Sequence, residues 1–184
     1  MRKMRRQDRR LDDDGIKEIL RIGEYGVLAT VTAEGQPYSV PMSYAYDEDS
    51  DAIYMHCTVD GGQKIDDILS EPRVCFTVVT GTKVIAEIFT MAYRSVNVFG
   101  KVELPDDPGE KMRGLMALVL KYSSDYEVPG RRYAESSLDK VTVLRLDIDS
   151  FTGKARGPER ASRWMVLGKT NKLSNRFPMH VRLF

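Results

Sequence analysis

The spacing of hydrophobic and polar residues changes several times along the chain, and most of these changes predict short strands. Asp13 or Asp14 precedes apolar residues spaced as on one face of a helix, which is predicted to run to about Arg21. From Tyr25 onward, the apolar residues alternate with polar ones or form short β-branched runs, as is typical of strands. Six strands are predicted, over residues 25–31, 37–46, 52–57, 73–80, 93–103 and 141–148.

Two further helices are predicted between these strands. Ile65, Ile68 and Leu69 indicate a short helix that Pro72 ends, and a stripe of apolar residues indicates a longer helix over residues 110–122. Short strands joined by mostly short connections predict a mainly β fold with flanking α-helices, a six-stranded antiparallel barrel. We expect a charged N-terminal arm over residues 1–14, this domain over residues 15–156, and a basic tail over residues 157–184.

The charge of the chain is unevenly distributed, although its net charge is only +1. Residues 15–153 carry 14 basic and 22 acidic side chains, whereas residues 154–184 carry eight basic and one acidic. Because the body is acidic, nucleic acid is not expected as the main ligand, and association through the basic tail remains an alternative. We expect the tail to lie against the acidic surface of the protein itself through its apolar residues, among them Trp164.

Composition indicates an ordinary globular protein, with 42% hydrophobic and 30% charged residues. No apolar run approaches the roughly 18 residues of a membrane span, and the basic N-terminus lacks the apolar segment of a secretory signal. A cytoplasmic protein with no membrane partner is therefore expected. Cys57 and Cys75 form no metal-binding pattern and are predicted to be reduced core thiols.

The stretch Tyr54–Lys64 carries the most chemical information. A strand ends there, two adjacent glycines follow in a polar turn, and Lys64 opens a helix. Glycines allow backbone N–H groups to converge on an anion, a helix N-terminus adds positive potential, and lysine supplies a charge for a phosphate. This pattern indicates a phosphate site, although an ordinary connection with a solvated lysine would produce the same residues.

Several common catalytic motifs are absent from the sequence. GxGxxG, GxxxxGK[ST], GxSxG and HExxH do not occur, so nucleotide-binding, esterase and zinc-protease chemistry of those types is not supported. His56 and His180 are the only histidines, which excludes a three-histidine metal site, and no metal is predicted. His56 and Cys57 are neighbours on a strand and should point to opposite faces, so they are not expected to form a nucleophile pair.

Four stretches resemble one family, in this order and spacing: GEYGVLATVTAEGQPYSVPMSYAYD, IYMHCTVDGGQKIDDI, PRVCFTVV and YRSVNVFGKVE. Together they closely resemble the nitroimidazole-resistance branch of the pyridoxamine 5'-phosphate oxidase-like flavoproteins. The resemblance extends from about Arg5 to Arg156 and rests on several linked motifs.

The resemblance implies a homodimeric six-stranded split barrel with two FMN sites shared across its interface. The second strand would lie along the isoalloxazine ring, through Val40, Pro41, Met42, Ser43 and Tyr44. The third strand and its turn would hold the phosphate, through His56, Cys57, Thr58, Gln63 and Lys64. The fifth strand would face the flavin from its other side or from the other subunit, through Ser95, Val96 and Asn97.

The sequence departs from the vitamin B6 oxidases of this family in two places. Gln63-Lys64 stands where those oxidases carry an Arg-Lys pair, and their arginine-rich C-terminal substrate motif has no match. These departures disfavour oxidation of pyridoxamine 5'-phosphate, which is retained as an alternative. The favoured hypothesis is an FMN-dependent reductase of small electron-poor substrates such as nitroaromatics, with His56 as the candidate catalytic acid. A flavin- or haem-binding module without turnover is the second alternative.

Overall fold

The computed structural model describes residues 4–157 as one sheet with flanking helices. The strands are β1 (Gly26–Val31), β2 (Pro37–Met42), β3 (Ala45–Asp47), β4 (Ala52–Thr58), β5 (Arg73–Ile85), β6 (Thr90–Glu103) and β7 (Val141–Arg156). The helices are α1 (Asp13–Ile22), α2 (Gln63–Ser70), α3 (Pro108–Ser123) and α4 (Glu127–Ser137). No helix in this part of the chain is long and apolar enough to cross a membrane.

The order of the strands shows that the sheet closes on itself. All neighbouring pairs are antiparallel, in the order β2-β1-β5-β6-β7-β4-β3. β2 and β3 stand at opposite ends of this order, yet only Ser43 and Tyr44 separate them in the chain. The sheet must therefore curl until its end strands lie side by side, and within residues 4–157 no strand pairing joins β2 to β3. The predicted antiparallel split barrel is confirmed.

The number of strands differs from the prediction, which had six. Residues 37–46 were predicted as one strand, but pairing stops after Met42 and resumes at Ala45 with a different partner, β4. The side chain of Tyr44 is fully buried, and its hydroxyl donates to the carbonyl of Leu20 at 2.8 Å. Tyr44 is thus anchored at the position where the chain passes from β2, at one end of the sheet, to β3, at the other end.

The barrel interior forms the main hydrophobic core. Leu28, Phe76 and Val98 are paired in register across three neighbouring strands, and each has a fully buried side chain. Helix α1 adds Ile16, Ile19 and Leu20 to this core. Full burial of such side chains stabilises the fold by about 1.5–3 kcal/mol each, so the interior provides most of the driving force for the barrel.

A second core lies on the outer face of β4, beneath α3 and α4. Ala52, Tyr54 and Val143 pack there against side chains of both helices. The two helices approach closely at Gly130, where an added Cβ would lie 2.5 Å from the Val119 side chain. This layer covers the face of β4 that also carries His56.

Several element boundaries differ from the sequence prediction. Asp12, not Asp13 or Asp14, caps α1, and its carboxylate accepts a hydrogen bond from the Gly15 amide at 2.9 Å. β5 and β6 continue past their predicted ends into a long hairpin, and β7 runs to Arg156. Leu11, placed by the prediction in the charged arm, donates its amide hydrogen to the Gly153 carbonyl at 3.0 Å. The tail beyond residue 157 and its predicted docking lie outside the described residues.

Candidate functional site

The turn between β4 and α2 has the geometry of an anion cradle. Gly61 and Gly62 have φ angles of 71° and 103°, which glycine adopts with the least strain. The Gly61 amide donates to the Thr58 carbonyl at 3.0 Å, and the Ile65 amide donates to the Gly62 carbonyl at 2.8 Å. The amides of Gln63 and Lys64 precede these bonds at the start of α2, and they lie at its positive end. A Cβ built on Gly62 would meet nothing within 4 Å, so the cradle is open.

Lys64 and Gln63, both predicted to bind the phosphate, make different contacts in this turn. The Lys64 ammonium donates to the Gly61 carbonyl at 3.2 Å and so lies over the glycine turn. The Gln63 amide side chain instead donates to the Asp67 carboxylate at 2.6 Å. Asp67 is 2% exposed and also accepts a hydrogen bond from the Thr30 hydroxyl at 2.6 Å. Lys64 is thus placed to bind an anion with its side chain, whereas Gln63 offers its backbone N–H and orients Asp67, the residue that joins α2 to β1.

Cys57 and His56 point to opposite faces of β4, as their positions in the sequence predict. Cys57 packs against the barrel interior, where burial raises the pKa of its thiol and the nearby Lys64 ammonium only partly opposes this effect. The thiol is therefore protonated near neutral pH and is a poor nucleophile. His56 faces α3 and α4 on the outer side.

His56 and Ser43 line one cavity of about 350 Å³ between β4 and the two helices. His56 remains exposed to solvent on one side, and its partial burial lowers the pKa of the imidazole below its ordinary value, so the ring is mostly neutral near pH 7. Within residues 4–157, no hydrogen bond occupies either ring nitrogen of His56. The apolar wall of the cavity consists of Leu115, Leu118, Val119, Ala134 and Val141.

Tyr122 joins this cavity to the seam of the barrel. Its hydroxyl accepts a hydrogen bond from the Tyr44 amide at 2.9 Å and lies 2.6 Å from the Glu24 carbonyl, to which it donates. The Lys121 ammonium lies 3.5 Å from the centre of the Tyr44 ring, and burial lowers the pKa of Lys121 to about 8. Tyr122 belongs to the site although the sequence analysis did not select it, because nothing in the helical pattern of α3 distinguishes it.

The predicted ring-binding segment, Val40–Tyr44, lies at the end of the sheet. β2 pairs with β1 along one edge, and no strand pairing occupies its other edge in the described part of the chain. Pro41 is exposed, whereas Met42 and Tyr44 are buried in the core. A ligand at this edge would therefore meet the backbone groups of β2 that do not pair with β1 and the Ser43 side chain, but Pro41 has no N–H and the Tyr44 amide already donates to the Tyr122 hydroxyl.

Ser95, Val96 and Asn97 lie far from His56 in the same chain. Asn97 pairs with Thr152 of β7, and His56 pairs with Val143 of the same strand. Nine residues separate these partners, which corresponds to about 30 Å along β7. Val96 is fully buried in the core, and Asn97 accepts a hydrogen bond from the Thr77 hydroxyl at 2.8 Å. One protomer therefore does not bring β6 to the cavity beside His56.

The chain is similar in sequence to one characterised family. The sequence profile described as pyridoxamine 5'-phosphate oxidase matches residues 12–155. Comparison with curated protein sequences gives no match.

Solved structures with the same fold come from several bacteria. A candidate 5-nitroimidazole antibiotic resistance protein from Bacteroides thetaiotaomicron is 30% identical, with a TM-score of 0.65, over 79% of this chain and 86% of that one. An FAD-binding protein from Mesorhizobium loti is 28% identical, with a TM-score of 0.59, over 81% and 98% of the two chains.

A flavocytochrome from Azotobacter vinelandii is 20% identical, with a TM-score of 0.66, over 99% of this chain and 85% of that one. This identity supports a shared fold only. The profile match spans most of the chain, and the Bacteroides protein is similar over a comparable length. The chain therefore belongs to the pyridoxamine 5'-phosphate oxidase-like family of split-barrel proteins.

Proposed function

We propose that the protein is an FMN-dependent reductase of small electron-poor molecules such as nitroaromatics. The observation that carries the proposal is the continuity of β4 and its turn: His56 lines a cavity, and the open glycine turn with Lys64 follows within a few residues. The anion cradle and the free edge of β2 match the phosphate and the ring of FMN, and the mostly apolar cavity beside them would hold the substrate. The similarity to a flavoprotein and to a nitroimidazole-resistance protein supports the same function.

The chemical groups of the described residues match those that are needed to bind FMN. The amides that open α2 and the Lys64 ammonium would hold the phosphate, and Gly62 leaves the space in front of them open. The free edge of β2 would offer backbone donors and acceptors to the ring. FMN, when bound, supplies two-electron transfer from a nicotinamide donor to the substrate.

The protein's own residues position the substrate and supply its hydrogen bonds. Reduction of an aromatic nitro group to a nitroso group takes two electrons and two protons and releases one water. His56 is neutral near pH 7, so it would hold the nitro oxygen by an N–H hydrogen bond rather than act as a strong acid. The apolar walls contributed by α3 and α4 would exclude bulk water from the reacting group.

A spectroscopic experiment tests the proposal. The purified protein is expected to be yellow and to release FMN, rather than FAD, in near-stoichiometric amount. Under anaerobic conditions, NADH or NADPH should bleach the flavin bands, and a nitroaromatic compound should restore them. A colourless protein that does not take up FMN would overturn the proposal, and a Soret band would indicate the haem-binding alternative. Bleaching without recovery on addition of the nitro compound would indicate a carrier without turnover.

We propose further that the site is completed by a second copy of the chain. Ser95 and Asn97 lie about 30 Å along β7 from the residues level with His56, so they can meet the same flavin only from the partner. The outer face of β1 and β5 also leaves apolar side chains uncovered, with Val31 38% exposed and Val79 50% exposed. A second copy on this face would bury them and bring its β6 to the flavin.

Dilution of the flavin-loaded protein is expected to dissociate the dimer and release FMN over the same concentration range. Analytical ultracentrifugation with detection at a flavin wavelength measures both events in one sample. A replacement at the uncovered face, Val79→Asp, should raise the dissociation constant and the FMN release together, whereas Lys83→Asp on the projecting hairpin provides an exposed control. A monomer that retains its flavin would contradict the shared site.

A further inference from the structure

Among residues 4–157, the part of the chain that the structure describes, no charged side chain lines the cavity beside His56. In addition to its apolar wall, it is bordered by Ser43, His56, Tyr122, Ser123, Tyr133 and Ser137. The serine and tyrosine hydroxyls are uncharged, and burial keeps His56 neutral near pH 7. Residues 4–157 therefore give the cavity hydrogen-bonding groups but no counter-ion.

Three cations of α3 are held away from this cavity. The Lys111 ammonium donates to the Leu138 carbonyl, and Arg113 forms an ion pair with Asp47 at 2.6 Å. Lys121 is packed over the ring of Tyr44. These contacts hold the cationic groups of α3 at other sites, so none of them is positioned to neutralise an anion beside His56.

We propose that this cavity is the substrate pocket and that it selects uncharged planar molecules of one or two rings, excluding carboxylates and phosphate esters. The inference rests on the proposed function and extends it to substrate class. An ion bound against the apolar wall of this cavity would lose part of its hydration without gaining a counter-ion from residues 4–157, which is unfavourable, whereas a neutral ring loses little. The volume of about 350 Å³ lies at the small end of ligand pockets and suits such a molecule.

Ser137 and Ser136 provide a matched pair of positions for testing the selection by charge. Ser137 is partly buried and lines the cavity at the end of α4. Ser136 is its exposed neighbour, and its hydroxyl donates to the Tyr133 carbonyl at 2.9 Å. A lysine introduced at either position adds the same charge to the same helix, but only Ser137→Lys brings it to the cavity.

Two nitro compounds of the same size provide the probes: neutral 4-nitrobenzyl alcohol and anionic 4-nitrobenzoate. With the FMN-loaded protein and NADPH, kcat/KM is expected to be about tenfold higher for the alcohol than for the acid, because the carboxylate would lose part of its hydration without a counter-ion. Ser137→Lys should bring this ratio close to one or reverse it, whereas Ser136→Lys should leave it unchanged. Ser137→Phe should fill the cavity and abolish turnover of the alcohol while the flavin spectrum stays intact.

The outcomes separate the pocket from the activity. Equal kcat/KM for the two probes, or a ratio that Ser137→Lys does not move, would overturn the inference. If the protein reduces neither probe, titration calorimetry measures the binding of both probes to the parent protein and to the same variants. If the parent protein then binds the alcohol more tightly than the acid and Ser137→Lys loses this preference, the inference of a pocket for neutral molecules stands and the proposed reductase activity is rejected. Equal or absent binding of both probes would reject the pocket.

Discussion

Replacement of Lys64 by Ala is expected to weaken FMN binding by about 1.5–3 kcal/mol, or roughly tenfold to 150-fold in dissociation constant. The Lys64 ammonium lies over the Gly61–Gly62 turn, where it would meet the phosphate together with the amides that open α2. Its loss removes one charge-assisted contact and leaves the backbone contacts in place. Fluorescence titration of the flavin-free protein with FMN measures the change.

Riboflavin separates a phosphate contact from a general weakening of the site. Because riboflavin lacks the phosphate, the parent protein and Lys64→Ala should bind it with equal affinity. Lys64→Arg should retain part of the FMN affinity, because arginine also binds phosphate, although with a different geometry. If Lys64→Ala leaves FMN binding unchanged, or weakens riboflavin and FMN equally, the phosphate does not lie in this turn.

The barrel could be predicted from the sequence because its strands are determined by local patterns. Alternation along residues 25–31 and 73–80 produces strands whose every second side chain lies in the core, such as Leu28 and Phe76. The opposite orientations of His56 and Cys57 follow from the same period of two. The glycine turn was also readable, because positive φ angles at Gly61 and Gly62 favour glycine.

Features that depend on tertiary contacts could not be predicted from local sequence patterns. Helix α4 buries a single residue, Ala134, and its sequence has no apolar stripe that would predict a helix. It is held by packing on α3, with Gly130 against Val119. The cavity wall that α4 contributes was therefore absent from the sequence prediction, as was the uncharged lining on which substrate selection is proposed to depend.

The placement of Ser95, Val96 and Asn97 shows a different limit. Resemblance grouped them with the flavin site, but only the register of β6 and β4 on β7 shows how far apart the two groups lie in one chain. Register is a long-range property that the local pattern of a strand does not encode. The sequence left two possibilities open: β6 contacts the flavin from its other side, or from the other subunit. Only the strand pairing, which separates the two groups within one chain, gives an argument for the other subunit.

Removal of the Tyr122 hydroxyl in Tyr122→Phe is expected to lower the free energy of unfolding by about 0.5–1.5 kcal/mol. The hydroxyl accepts from the Tyr44 amide and donates to the Glu24 carbonyl at the seam between β2 and β3, where no strand pairing can satisfy these groups. Burial raises the pKa of Tyr122, so the phenol remains protonated and able to donate. Urea denaturation of the flavin-free protein measures the loss, and Tyr126→Phe, at a tyrosine that is 68% exposed, should change stability little.

The same replacement tests whether the seam positions the flavin. Tyr122 holds the backbone at Tyr44, directly after Ser43, and both Ser43 and Tyr122 line the cavity with His56. In the flavin-loaded protein, Tyr122→Phe should therefore shift the flavin absorption bands and raise KM for the nitro substrate, effects that a loss of stability alone would not produce. If stability falls but the spectrum and KM stay as in the parent, Tyr122 only closes the barrel and the flavin ring does not lie against Ser43 and Tyr44.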